Sequence, residues 1–434
     1  MSANPISEPE ARALADAINQ VSSSQPPAEA LKLVEMALTR APQQAIVLNA
    51  AGGHMHRVGN AARARDLFQR ALAVDGNSKV LWLNLANACR TLDDKQAEAE
   101  ALEKALAIEP RYVSALLQKA DLMERRGDPK AAAFLYQAAL DSVASGASAP
   151  SQAARALARA EQVVRSNRAE LERFLEQELS QARQRHAAAD QQRFDASRDL
   201  YLRKRRVHYS QPKQILFPFL PAIEFFGREQ FPWLEVLEAA TEDIAAEALA
   251  VLSEDQTGFR PYVDVPPGTP LDQWAPLNRS MDWSVYPLWH DGARIAEHLQ
   301  RCPCTAAVLA QLPLCEIPGY APGAFFSVLQ PHTHLPPHTG TTNTRSIVHL
   351  PLIVPQRCAF RVGEQKRLWE KGKAWVFDDT IEHEAWNDSD QIRIILIFDI
   401  WNPLLSAAER ELVSDFTIGI GRYYGVDAPV LGTR

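Results

Sequence analysis

Residues 71–110 read ALAVDGNSKVLWLNLANACRTLDDKQAEAEALEKALAIEP, and a single interval runs through and beyond them. The pair Ala71-Leu72 returns as Ala105-Leu106 and again as Ala139-Leu140, each time after 34 residues. Leu48, Trp82 and Leu116 keep the same interval, as do Gly59, Asp93 and Gly127, and Pro42, Gly76 and Pro110. Several columns at one period mark an internal repeat, whose units stack because none can bury its apolar face alone. Within a unit, apolar residues recur at helical spacing on both sides of the Gly or Asp position. Each unit should therefore be two amphipathic helices joined by a tight turn and ended by the Pro or Gly column. Small residues at Ala51, Gly52, Ala86 and Ala120 allow close helix approach, and a partial first unit keeps Leu14 and Ala37-Leu38 in register.

This pattern resembles the tetratricopeptide repeat over about residues 9–142. The resemblance implies an α-helical solenoid, whose concave face either docks a peptide or protein partner or is simply a packed array. Residues 143–209 read as a helical linker. The turn-rich run Ser142–Ser151 breaks the period, and residues 152–198 are rich in Ala, Arg, Glu and Gln without a wide apolar stripe, as in one or two surface or bridging helices. The cluster Arg203-Lys204-Arg205-Arg206 reads as a solvated boundary.

The chain has 434 residues, enough for two or three domains, and its 46% hydrophobic and 23% charged content is that of ordinary globular proteins. A net charge of -7 offers no general attraction to nucleic acid or anionic membranes, so neither is expected as a partner. The N-terminal stretch lacks the basic start and apolar run of a secretory signal. Ile394–Phe398, the longest fully apolar run, falls far short of the ~20 residues a membrane span needs. The five cysteines, at 89, 302, 304, 315 and 358, are odd in number and scattered, which fits a reducing, cytoplasmic setting better than a disulfide framework. Cys302-Pro-Cys304 has no second pair with which to form a zinc knuckle.

From residue 210 the texture changes to short β-branched and aromatic runs punctuated by Pro, Gly and Asp. Expected strands are 324–329, 345–354, 358–362, 374–377 and 391–400, and their spacing suggests a sandwich or jelly roll over 210–434. Residues 233–252 read as a helix against the sheets. Five of the eleven histidines, His332, His334, His338, His349 and His383, fall among these strands and turns. Such a concentration points to a metal site, since neutral imidazole is the commonest metal ligand. His338 and His383 lie too far apart in sequence to share a helical turn, so only adjacent strands of a closed roll would unite them. A non-haem iron centre usually takes His-x-Asp and a distant His. Here position 340 is glycine. Arg393 sits within the apolar run Ile392–Phe398, where an unpaired cation would be costly. Either a carboxylate of the chain such as Asp399 meets it, or a bound dicarboxylate does, through two parallel hydrogen bonds.

Together, Phe326-Ser327, the run Pro337-His338-Thr339-Gly340-Thr341-Thr342-Asn343-Thr344-Arg345, His349-Leu350, the run Phe377-Asp378-Asp379-Thr380-Ile381-Glu382-His383-Glu384-Ala385-Trp386, and Arg393 resemble the aspartyl/asparaginyl β-hydroxylase family over about residues 210–405. The resemblance implies a double-stranded β-helix and an iron(II)-dependent dioxygenase that uses 2-oxoglutarate and O2. It implies that His338 and His383 bind iron, that Gly340 stands where most related oxygenases have their carboxylate, and that Arg393, Ser327 and His349 hold the cosubstrate. Asp379 looks like the acid that holds a metal-bound water, although Asp-Asp-Thr is also ordinary turn chemistry. Arg345 occupies the first of two arginine positions associated with substrate recognition, while the second is Ile347. Trp375, Phe377 and Trp386 could wall the pocket or simply pack the core. The expected activity is hydroxylation of an Asp- or Asn-type or related side chain in a peptide, protein or carrier-bound substrate. The alternatives are an inactive scaffold, a small-molecule hydroxylase and a zinc hydrolase, the last without the His-Glu-x-x-His pattern it would need.

Overall fold

In a computed structural model the chain forms two compact units, Met1–Gln191 and Gln192–Arg434. The structure describes residues 6–24, 27–149, 151–187, 191–268 and 270–425.

The first unit is built of antiparallel helix pairs: α1 (Glu8–Ser24) with α2 (Pro27–Arg40), α3 (Ala45–Arg57) with α4 (Ala61–Val74), α5 (Lys79–Thr91) with α6 (Lys95–Ile108), and α7 (Val113–Arg125) with α8 (Pro129–Ala144). The starts of α3, α5 and α7, and those of α4, α6 and α8, are spaced by the period read from the sequence. Gly59, Asp93 and Gly127 turn the chain with φ of 84°, 55° and 78°. The next residue in each unit, Asn60, Asp94 or Asp128, caps the following helix by accepting a backbone N–H at its third position. The small-residue column is required by packing: a Cβ on Gly52 would come within 2.7 Å of the Phe68 ring. One expectation changes. The first unit is a full helix pair rather than a partial one. The apolar-poor segment after the repeats forms α9 (Ala154–Arg185), whose first half buries Ala160 and Val164 against the last repeat. Arg159 reaches Glu124 at 2.7 Å and Arg168 reaches Gln137 at 3.2 Å, so the helix covers the end of the stack with a polar outer face.

The second unit opens with α10 (Gln192–Tyr201), followed by α11 (Leu234–Ala239), α12 (Thr241–Glu254), β1 (Arg260–Pro261), β2 (Trp283–His290), β3 (Ala293–Arg294), α13 (Ala296–Arg301) and α14 (Pro303–Leu309). The strands β4 (Ala324–Leu329), β5 (Thr333–His338), β6 (Arg345–Ile353), β7 (Cys358–Val362), β8 (Gln365–Leu368), β9 (Trp375–Phe377), β10 (His383–Asn387) and β11 (Arg393–Trp401) precede α15 (Ala407–Tyr424). A capping box of Ser406 and Glu409 starts that last helix. The expected helix over 233–252 is interrupted at Ala240 and appears as α11 and α12.

The strands form a seven-stranded sheet of order β1-β2-β4-β11-β6-β9, with β3 on β2, and a four-stranded sheet of order β5-β10-β7-β8. This is the jelly-roll arrangement of two antiparallel sheets. Because side chains alternate along a strand, β11 sends Ile394, Leu396, Phe398 and Ile400 to a core shared with α11, α12 and α14, and sends Ile395 and Ile397 inward between the sheets. Arg393 has the parity of the inward set. So do Ser327 on β4 and His349 on β6. Among the described residues, no helix is long and apolar enough to cross a membrane.

Candidate metal centre and anion pocket

His338 ends β5 and His383 begins β10, and the antiparallel register sets them directly opposite each other. Their ring centroids are 4.1 Å apart. Each ring is aimed in the same way: Nδ1 of His338 donates to the carbonyl of Pro336 at 2.7 Å, and Nδ1 of His383 donates to the carbonyl of Ile381 at 3.0 Å. With the proton fixed on Nδ1, both Nε2 atoms keep a lone pair for a metal ion. Burial holds the His383 imidazole down at about 4, and it holds His338 well below its ordinary range, helped by the neighbouring ring. Both imidazoles are thus neutral at physiological pH, the form that binds metal. Among the described residues no third His, Cys, Asp or Glu completes a metal-binding cluster with them.

The missing side chain at 340 has a steric explanation. A Cβ on Gly340 would overlap the carboxylate of Asp379, and the Gly340 N–H donates to the Asp379 carbonyl at 2.6 Å. The acid of the 378–380 turn therefore fills the space that a carboxylate at 340 would need. Asp378 beside it serves the turn, receiving Thr380 N–H at 2.9 Å and Ser210 Oγ at 2.8 Å.

Inward from the histidine pair lies His349, packed against Phe377 at 4.8 Å and Phe360 at 5.0 Å, and beyond it Arg393. Burial first and the Arg393 charge second keep His349 neutral, and its Nδ1 has no hydrogen-bond partner. Arg393 is 1% exposed and lies over the Trp369 ring at 5.1 Å. One guanidinium nitrogen donates to Ser327 Oγ at 3.4 Å, while Nε has no partner. Burial lowers its pKa to about 10, which leaves it charged at neutral pH. Ser327 Oγ also accepts the indole N–H of Trp283 at 3.1 Å. With both lone pairs engaged, its hydroxyl proton is the group left to donate. Three polar groups thus converge without an acid, and a carboxylate suits them; the aimed pair of Nε2 atoms likewise suits a divalent iron.

The intramolecular partner considered for Arg393 belongs to another residue. Asp399 accepts from Arg345 at 3.1 Å, and Arg345 also donates to Thr341 Oγ1 at 2.7 Å. Arg345 is therefore held by the chain itself and is not brought to Arg393. Of the five clustered histidines, His332 sits on Asp390 at 3.0 Å and His334 on Glu384 at 2.9 Å, both on the outer surface. Trp375 and Phe377 face inward, where Trp375 stacks on Trp369 at 5.9 Å, whereas Trp386 stacks on His334 outside. Sequence reasoning missed Trp283 and Trp369, which support the anion pocket, and Trp274, whose ring meets His338 edge-on at 5.0 Å. The Trp283 parity was readable once β2 was known, but its partner Ser327 was not.

Residues 238–403 match the model of the aspartyl/asparaginyl beta-hydroxylase family. The human protein "Aspartyl/asparaginyl beta-hydroxylase" is 38% identical over 137 residues, covering 31% of this chain and 18% of its own length. "Ornithine lipid ester-linked acyl 2-hydroxylase" of Rhizobium tropici is 34% identical over 181 residues, 41% of this chain and 60% of that protein. Human "Aspartate beta-hydroxylase domain-containing protein 2" is 30% identical over 223 residues, 50% of this chain and 57% of that protein. The chain thus spans less than two thirds of each of these relatives. The matched segment contains the histidine pair, Ser327, His349, Asp379 and Arg393, and over it the C-terminal unit of this chain is similar to the aspartyl/asparaginyl beta-hydroxylase family.

Proposed function

We propose that the chain is a cytoplasmic iron(II)- and 2-oxoglutarate-dependent dioxygenase. It hydroxylates an Asp- or Asn-type or related side chain in a peptide, protein or carrier-bound substrate, with the helical repeats docking the substrate or a partner. The observation that carries this reading is Arg393, a fully buried cation with no carboxylate partner among the described residues, on an inward-facing strand position of the same jelly roll as two neutral histidines whose Nε2 atoms are both available. When bound, iron(II) and 2-oxoglutarate supply O2-dependent hydroxylation of an unactivated C–H bond, coupled to decarboxylation of the keto acid. The chain's own part is placement and shielding. Arg393 and the Ser327 hydroxyl bind the distal carboxylate, and Trp369 and Trp283 hold those two groups in position. Neutral His349 leaves the charge of Arg393 undivided. Phe360, Phe377 and Trp369 keep water from the path between the histidines and Arg393, which strengthens each polar contact there. Asp379 presents a carboxylate acceptor beside Gly340.

Engagement of Arg345 by Asp399 favours a second reading of the substrate alone, namely a small molecule or lipid in place of a peptide. The R. tropici relative is itself named for hydroxylating a lipid acyl chain. Conversion of 2-oxoglutarate to succinate by purified protein with iron(II) and ascorbate tests the assignment. Turnover should vanish in His383→Ala, and full turnover in that variant would refute it.

A further inference from the structure

Residues 208–217 form a strap across the loops that carry the two histidines. His208 meets Glu364 at 3.3 Å, Ser210 donates to Asp378 at 2.8 Å, and Gln211 N–H donates to the Thr380 carbonyl at 2.7 Å. Lys213 N–H then donates to the carbonyl of Gly340 at 2.9 Å, and Phe217 N–H donates to Asn343 Oδ1 at 2.7 Å. The strap is therefore fixed to the 378–380 turn on one side of the pair and to the 340–343 loop on the other.

The cations around this site divide cleanly. Arg361 is held by Glu382 and Glu384, Arg345 by Asp399, and Arg393 points inward to the anion pocket. Lys213 differs from all three. Its side chain is exposed, and among the described residues no carboxylate lies within ion-pair distance of it. Its backbone is anchored to Gly340, two residues from His338. Position 347, where a second arginine would stand, is the buried Ile347. Among the described residues, Lys213 is thus an exposed cation beside the histidine pair that no carboxylate holds, and it stands on the strap rather than on β6.

Resting on the oxygenase reading, we infer that Lys213 determines substrate specificity by receiving an anionic group, a carboxylate or a phosphate, on the molecule hydroxylated at the histidine pair. Trp274, half-buried beside His338, offers that molecule an apolar wall.

The test uses full-length protein with iron(II), 2-oxoglutarate and four nonapeptide pools that differ only in a central Asp, phosphoserine, Asn or Lys. Stimulation of 2-oxoglutarate turnover should be greatest with the Asp or the phosphoserine pool, and which of the two leads separates carboxylate from phosphate. The preference over the Asn pool should be about tenfold in kcat/KM and should shrink as salt is raised. Lys213→Arg should keep it, and Lys213→Glu should turn it towards the Lys pool, which a merely structural lysine would not do. An unchanged preference in Lys213→Glu overturns the inference. So does a wild-type protein that consumes 2-oxoglutarate but favours neither anionic pool. Absence of both 2-oxoglutarate turnover and calorimetric 2-oxoglutarate binding in the wild type instead removes the oxygenase reading, and this inference with it.

Discussion

Each unit buries a charge, and the two charges are treated in opposite ways. In the repeats, Glu98 on α6 is 0% exposed, and Arg125 at the end of α7 donates to both of its oxygens at 2.7 Å, with the amide of Gln118 at 3.5 Å. Arg125 also reaches Asp121 at 3.0 Å. In the jelly roll, Arg393 is equally buried but among the described residues meets a hydroxyl and an aromatic face and no carboxylate. A desolvated charge costs several kcal/mol unless it is met. The first site offsets that cost within the chain, whereas the second leaves it open. The contrast separates a charge that serves the fold from one that serves a ligand, and it does so without reference to any relative.

Arg393→Met should give the largest effect and the most lopsided one. Removing one partner of a buried, hydrogen-bonded pair costs about 3–5 kcal/mol, so the affinity for 2-oxoglutarate should fall at least about a hundredfold by calorimetry. Stability without ligand should hold or rise in thermal denaturation, because the variant removes a buried cation that the chain itself does not neutralise. A melting temperature lowered by many degrees would show that Arg393 supports the fold and would erase the contrast.

The converse substitution is Arg125→Met. It strands Glu98 in the helical core, and because Arg125 is 28% exposed the loss should sit at the low end of the range, about 3 kcal/mol. Denaturant unfolding of the first unit should report it, while 2-oxoglutarate affinity stays at the wild-type value. A smaller stability loss would mean that Glu98 takes up a proton or reaches water when its partner is gone.

These differences were only partly legible in the chain. The repeats could be read because helical periodicity and turn chemistry are local, and even the capping column Asn60, Asp94 and Asp128 is visible at the same interval. Within the jelly roll, alternation alone places Ser327, His349 and Arg393 on inward faces once the strands are drawn. It also places Asp399 on the face of Arg393. Six residues along a strand span about 20 Å, however, so that ion pair was never geometrically open. Strand order and register were not readable, because pairing β11 with both β4 and β6 depends on contacts distant in sequence. For that reason Trp283, Trp369 and Lys213, which only strand pairing and loop packing bring to the site, escaped a reading that found the histidines themselves.

The smallest expected effect lies in the turn column of the repeats, where nothing bears on a ligand. Gly59 and Gly127 hold left-handed φ values of 84° and 78° with open space around them, so Gly59→Ala and Gly127→Ala meet no atom and lose only through backbone strain, about 1 kcal/mol each. Asp93 occupies the same place at φ 55° and already carries that strain. Asp93→Gly relieves it but gives the unfolded chain more freedom, so the two terms should nearly cancel, leaving stability within about 0.5 kcal/mol of wild type. Denaturant midpoints of the three variants measure this directly. If Asp93→Gly proved as damaging as Gly59→Ala, the Asp93 side chain would have to stabilise its turn, and the column would be set by side-chain chemistry as well as by backbone geometry.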